Sequence, residues 1–250
     1  RMLGSSNSIA CANIMLNAAV AESLKIYADR LEKADDFETA LHDMIKKTIK
    51  DHKRIIFNGN GYDDAWIKEA TEKRGLLNLR TTPDAVPTLL AKKNVDMLTS
   101  HKIFTKAELE SRYEITMDNY CKAVDIEAQT MVDMARKEIL PAVVAYSKEL
   151  ADTLAAKKSA VPGIACKYET GVVEKLSTLA DEIDAAAAAL DTELIKLKSI
   201  TDVTESANTI RDVILQKMAE LRVVCDEAET LTAEKYWPFP TYSDLLFGVK

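Results

Sequence analysis

Glycine and proline are scarce in this 250-residue chain, with seven and six copies respectively. That scarcity excludes a turn-rich sheet, while the abundant Ala, Leu, Lys and Glu are the composition of long helices. Cysteine is equally sparse. Cys11, Cys121, Cys166 and Cys225 lie far apart, with no CxxC pair and no nearby histidine, so they are expected as free thiols of a reducing cytosol. Only three histidines occur, His42, His52 and His101, too scattered for a metal cluster and expected in surface or capping roles. No stretch reaches the ~18 uninterrupted apolar residues of a membrane span. The run Ile9–Val20 after Arg1 imitates a signal peptide, but Asn13 and Asn17 interrupt it at helical spacing. With 33 Lys+Arg against 40 Asp+Glu, the net charge of −7 argues against a nucleic-acid partner. A cytoplasmic chain with no membrane partner is expected.

What is present is helical periodicity. Arg1-Met2-Leu3 reads as the end of a strand, so the chain is expected to begin inside a domain. Gly4–Ser8 reads as a loop and N-cap, and apolar positions from Ile14 to Leu31 sustain a helix to about Lys33. Asp35 and Asp36 cap a second helix through Phe37, Leu41, Met44, Ile45 and Ile49. Asn58-Gly59-Asn60-Gly61 marks a turn whose two Asn-Gly steps call for positive backbone angles. The loop lacks the lysine and the Ser/Thr of a phosphate loop, which makes the turn the better reading. Asp63 and Asp64 could ligate a cation but stand where a helix N-terminus wants carboxylates, so capping is expected. That third helix runs to about Arg74 and ends at Gly75. Short helices then continue through Leu98 to a break near Ser100-His101.

Beyond Thr105 three long segments appear. The first, about Thr105 to Lys158, uses Tyr113, Met117, Tyr120, Val124, Met131, Met134, Ile139, Ala142, Tyr146 and Leu150. Pro141 must kink it or mark a join, because proline removes a helical hydrogen bond and crowds the preceding turn. After Val161-Pro162-Gly163, the second segment repeats apolar residues at Val172, Leu176, Leu179, Ile183, Ala186, Leu190, Leu194 and Leu197. This coiled-coil seam suits either the core of one bundle or an oligomer interface. The third uses Val203, Ile210, Ile214, Met218, Leu221, Val224 or Cys225, Ala228 and Leu231. Short connections make the three an antiparallel up-down-up bundle. The tail from Tyr236 places five aromatics within twelve residues, interrupted by Pro238 and Pro240. It is expected to dock on the first half of the chain or on a neighbouring subunit.

The fold class expected is therefore all-α, in three parts. Residues 1–103 hold the end of a catalytic domain and short helices, 104–235 a long bundle, and 236–250 an aromatic docking tail. On residues alone the chain is a helical module for assembly or partner binding, with no assigned chemistry.

Several stretches nevertheless resemble the type III glutamine synthetases of bacteria. They are Arg1–Ser6, Phe57–Tyr62, Glu72–Leu79, Thr81–Ala85, Ala128–Met131 and Tyr236–Tyr242, in that order. The resemblance implies a parent enzyme that makes glutamine from glutamate, ATP and ammonia with Mg or Mn, in stacked hexameric rings. Arg1 resembles the arginine of the family's last catalytic strand, whose implied role is to contact nucleotide or phosphate. The metal-binding glutamate of that pattern would stand two positions before it. Ser5, Ser6 and Asn13 resemble the loop and helix start that follow, although Asn13-Ile14-Met15 departs from the Asn-Pro-Tyr of other branches. The resemblance thus implies no metal ligand and no cofactor site in this chain. Its expected partners are the remainder of the catalytic domain and further copies of the whole enzyme, and alone it is expected to be inactive. A stand-alone helical scaffold is the alternative.

Overall fold

A computed structural model describes residues 8–240 and 242–248. Among them every regular element is helical and no strand occurs. The chain divides into two units, residues 1–115 and 116–250, each with its own core.

In the first unit α1 (Ala10–Leu31) begins after Ser8, whose hydroxyl accepts from the Ala10 amide at 3.2 Å. α2 (Phe37–His52) begins at Asp36, which accepts hydrogen bonds from the Thr39 amide and hydroxyl. α3 (Asp64–Lys68) is capped by Asp63, which accepts from the Ala65 amide at 2.9 Å, as expected of a carboxylate there. A π-turn over Glu69–Lys73 prolongs α3. Gly75 then takes φ +62, and the Leu76 amide returns to the Ala70 carbonyl at 2.9 Å. That return bond is the usual closure of a helix by a left-handed glycine. α4 (Thr82–Ala85) is capped by Thr81 and leads through a 3-10 turn to α5 (Lys92–Ser100).

The first unit's buried cluster is small: Ala18, Leu98 and Leu109, flanked by half-buried Met15, Leu89, Leu90, Val95, Met97, Ile103 and Phe104. His101 follows α5 and is half-buried, its Nε2 lying 2.7 Å from Glu22 of α1. It therefore ties two helices together. His42 and His52 are exposed, as expected.

Thr105 and Glu108 exchange hydrogen bonds in a capping box and start α6 (Lys106–Met134), which begins in the first unit and ends in the second. A π-turn over Ala135–Ile139 joins α6 to α7 (Leu140–Ala160). Pro141 sits in the first turn of α7, where its missing amide is harmless. The wide turn before it relieves the clash a proline brings. α8 (Lys167–Leu197) is the central helix, packed on α7 and on the segment formed by α9 (Val203–Thr209), a π-turn over Ile210–Ile214 and α10 (Leu215–Leu231). Lys157 pairs with Glu169 and Arg136 with Asp191, so residue numbers fall along one segment as they rise along the other.

The seam of α8 is buried within the chain itself. Leu176, Leu179, Ile183, Ala187, Leu190, Leu194 and Leu197 join Val132, Ala135, Val143, Ile210, Ile214 and Leu221 in one cluster. The middle position is Ala187, with Ala186 only half-buried. At 3.6 residues per turn, a step of four from Ile183 serves the same face as a step of three. α6 and the π-turn after it turn in the same sense, since Ala128, Val132 and Ala135 are buried while Met131 and Met134 are half-buried. Trp237 and Phe239 pack on this same cluster. Within the second unit the described part of the tail thus lies on the bundle, against its half-buried apolar flanks. α11 (Tyr242–Phe247) follows the two prolines.

Candidate functional site

Arg1, Ser5 and Ser6 lie outside the described residues. Asn13 lies in the first turn of α1 and is exposed. Its face also carries Ile9, Leu16, Val20 and Leu24, at spacings that keep them in one stripe. Leu16, Val20 and Leu24 are 67 %, 58 % and 62 % exposed, whereas Ala18, on the opposite face, is 2 % exposed. Ile45 and Ile49 of α2 and Ile55 and Ile56 of the turn after it are exposed as well.

Beside that turn is a clamp that sequence reasoning missed. Phe57 and Trp66 stack at 3.7 Å and 15° between planes, and the Arg74 guanidinium lies 4.8 Å from the Trp66 ring centroid. Arg74 Nη1 donates to the carbonyls of Arg54 and Ile56 at 3.2 and 2.8 Å, and Nε and Nη2 donate to Glu69 Oε1 at 2.9 and 2.6 Å. One planar fork therefore fixes the chain before Phe57 to the helix after it. The Asn58–Gly61 turn is held differently from expectation, because neither glycine adopts a positive φ. Asn60 Oδ1 accepts from the Tyr62 amide at 3.1 Å and makes the turn through its side chain. Gly59 is small for another reason: a Cβ there would lie 2.8 Å from Phe57 Cζ, on a ring the stack already pins.

The second anchored segment is the tail. Glu149 of α7 accepts from Lys235 Nζ at 2.8 Å and from the Tyr236 hydroxyl, and Tyr236 tilts against Tyr146 at 5.6 Å. The hydrogen bond from Lys235, then that from Tyr236, holds the Glu149 carboxyl below its ordinary range. Trp237 and Phe239 meet edge to face at 6.2 Å. They wall a groove of about 580 Å³ together with Met131, Met134, Met218 and Cys225. Burial pushes the Cys225 thiol up to about 11. Phe57, Arg74, Tyr236, Trp237 and Phe239 belong to the quoted motifs, while Glu149 had no signal in the sequence.

The four cysteines are free thiols. Among the described residues no three His, Cys, Asp or Glu side chains converge as metal ligands, and no helix is long and apolar enough to cross a membrane.

Residues 40–158, from α2 into α7, match the glutamine synthetase C-terminal domain. The chain carries a glutamine synthetase C-terminal domain. It is 40% identical to a glutamine synthetase of Butyrivibrio fibrisolvens, in an alignment covering 86% of this chain and 31% of that protein. A type-3 glutamine synthetase of Dictyostelium discoideum is 32% identical over 99% of this chain and 34% of its own length. For a glutamine synthetase of Bacteroides fragilis (strain YCH46) the values are 28%, 99% and 35%. The chain thus spans about a third of the length of these relatives. The clamp falls inside the glutamine synthetase domain match, and the tail anchored on Glu149 lies after it.

Proposed function

We propose that this chain is the helical C-terminal part of a type 3 glutamine synthetase, a cytoplasmic enzyme that ligates ammonia to glutamate with ATP and Mg or Mn. Its own work is structural: it closes over the catalytic part and supports the hexameric rings. The parts proposed are residues 1–103 at the edge of the catalytic domain, the up-down-up bundle 104–235 and the docking tail 236–250. Arg1 contacts nucleotide or phosphate in the whole enzyme.

One observation carries this reading. The α1 stripe of Leu16, Val20 and Leu24 is apolar, ordered on a helix, and left in water by its own unit. Exposing such a patch costs about 25 cal/mol per Å², so a covering surface is favoured. Two measurements test it. The purified chain alone should show no γ-glutamyl transfer, and glutamine formation by it would overturn the structural role. In the whole enzyme, Leu16→Asp with Leu24→Asp should abolish ring assembly seen by light scattering. Unchanged assembly and activity would favour a free helical scaffold instead.

A further inference from the structure

The end of α2 concentrates charge against the trend of the molecule. Lys46, Lys47, Lys50, Lys53 and Arg54 fall within nine residues of a chain whose net charge is −7. Lys47 is paired with Asp51 at 2.7 Å, whereas Lys46, Lys50, Lys53 and Arg54 have no ion pair among the described residues. Basic residues suit a helix C-terminus, which accounts for a few of them. It does not account for what lies beside them. A concavity of about 550 Å³ is lined by Ile49, Ile56, Lys53, Arg54 and Arg74, with no carboxylate in its wall.

The three cations differ in availability. Arg74 is committed to Glu69 and to two carbonyls, so it shapes the wall. Lys53 and Arg54 are exposed and supply the free charge. Ile49 and Ile56 are 55 % and 59 % exposed and offer aliphatic surface. An inorganic anion would leave the isoleucines wet, and an apolar molecule would leave both cations unpaired. A carboxylate brings one charge to two cations. A phosphomonoester brings about −1.5 to −2 at neutral pH, and its oxygens match the guanidinium fork.

We propose that this pocket binds a phosphomonoester with a flat or aliphatic body, the phosphate on Lys53 and Arg54 and the body on Ile49 and Ile56. The site does not depend on the structural role proposed above.

The test is titration of the full chain with phenyl phosphate and with inorganic phosphate, followed by calorimetry or amide NMR shifts at low salt. Phenyl phosphate is expected to saturate with a Kd of about 1 mM or below, roughly tenfold tighter than inorganic phosphate. Lys53→Ala with Arg54→Ala removes two exposed side chains and leaves the Arg54 carbonyl on Arg74, so the fold is retained, which a thermal melt verifies. That pair should weaken phenyl phosphate at least ~tenfold, against ~twofold for Lys46→Ala with Lys50→Ala further back on α2. Ile56→Ser should erase the advantage of phenyl phosphate over phosphate. Binding that does not saturate, shows no preference for phenyl phosphate, or survives the Lys53 and Arg54 substitutions would mean the cations serve the helix end alone.

Discussion

Arg74 places four hydrogen bonds and a ring contact on one side chain, and each uses the planar fork. Lysine keeps the charge but cannot reach two carbonyls and a carboxylate at once. Arg74→Lys should cost the first unit about 0.5–1.5 kcal/mol, the net worth of a hydrogen bond whose acceptors water can still reach. The chain has two tryptophans, Trp66 in the clamp and Trp237 in the tail. In a Trp237→Phe background, Trp66 fluorescence therefore follows the clamp through a urea titration, and an unchanged midpoint would deny Arg74 its role. Cys225 makes a second prediction at this scale. Its thiol ionises near 9 in an unfolded chain and at about 11 here, because burial opposes the thiolate. The folded value is raised, so its contribution to stability is whole below pH 9 and is lost as pH rises toward 11. Cys225→Ala should flatten that alkaline decline of the bundle, and a decline as steep as in the parent chain would place its cause elsewhere.

Among the elements, α8 carries the most consequence per residue because both of its neighbours pack on it. Ile183→Ala, at a fully buried position, should destabilise the bundle by about 2–5 kcal/mol. Ile195→Ala on the same helix, 64 % exposed, should stay within ~0.5 kcal/mol. Comparable losses at both sites in chemical denaturation would contradict the seam. This helix was legible in advance because a three-and-four alternation leaves one face to bury, and only the choice between Ala186 and Ala187 went astray. Pro141 likewise announced a join. The π-turns at Glu69–Lys73 and Ile210–Ile214 had no such sign, since no proline marks them and a widened turn answers to packing on neighbours distant in sequence. The clamp was half legible. Phe57 and Arg74 lie in motifs that could be quoted, but an aromatic stack across nine residues and a fork reaching back twenty are tertiary facts. Glu149 was invisible, one carboxylate among many on charged helices, until Lys235 and Tyr236 arrived at it.

Across the whole molecule the two units bury apolar residues unequally. The first buries Ala18, Leu98 and Leu109 in its cluster and leaves Leu16, Val20, Leu24, Ile45 and Ile49 in water, while the second runs one continuous core from Val124 to Ala228. Burial of apolar area is the dominant favourable term in folding, so the first unit should be the weaker. Each unit holds one tryptophan, which separates them without labels. In the chain alone, Trp66 fluorescence should change at lower urea than Trp237 fluorescence, and each single-tryptophan variant should reproduce its own transition. If the α1 stripe is covered in the whole enzyme, binding energy there is added to the first unit in proportion to RT ln(1 + [L]/Kd), and the Trp66 transition should move up toward that of Trp237. Coincident transitions in the chain alone would mean that the first unit does not need a covering surface to match the bundle. The exposed stripe would then be an ordinary apolar surface, and the assembly role would lose its support.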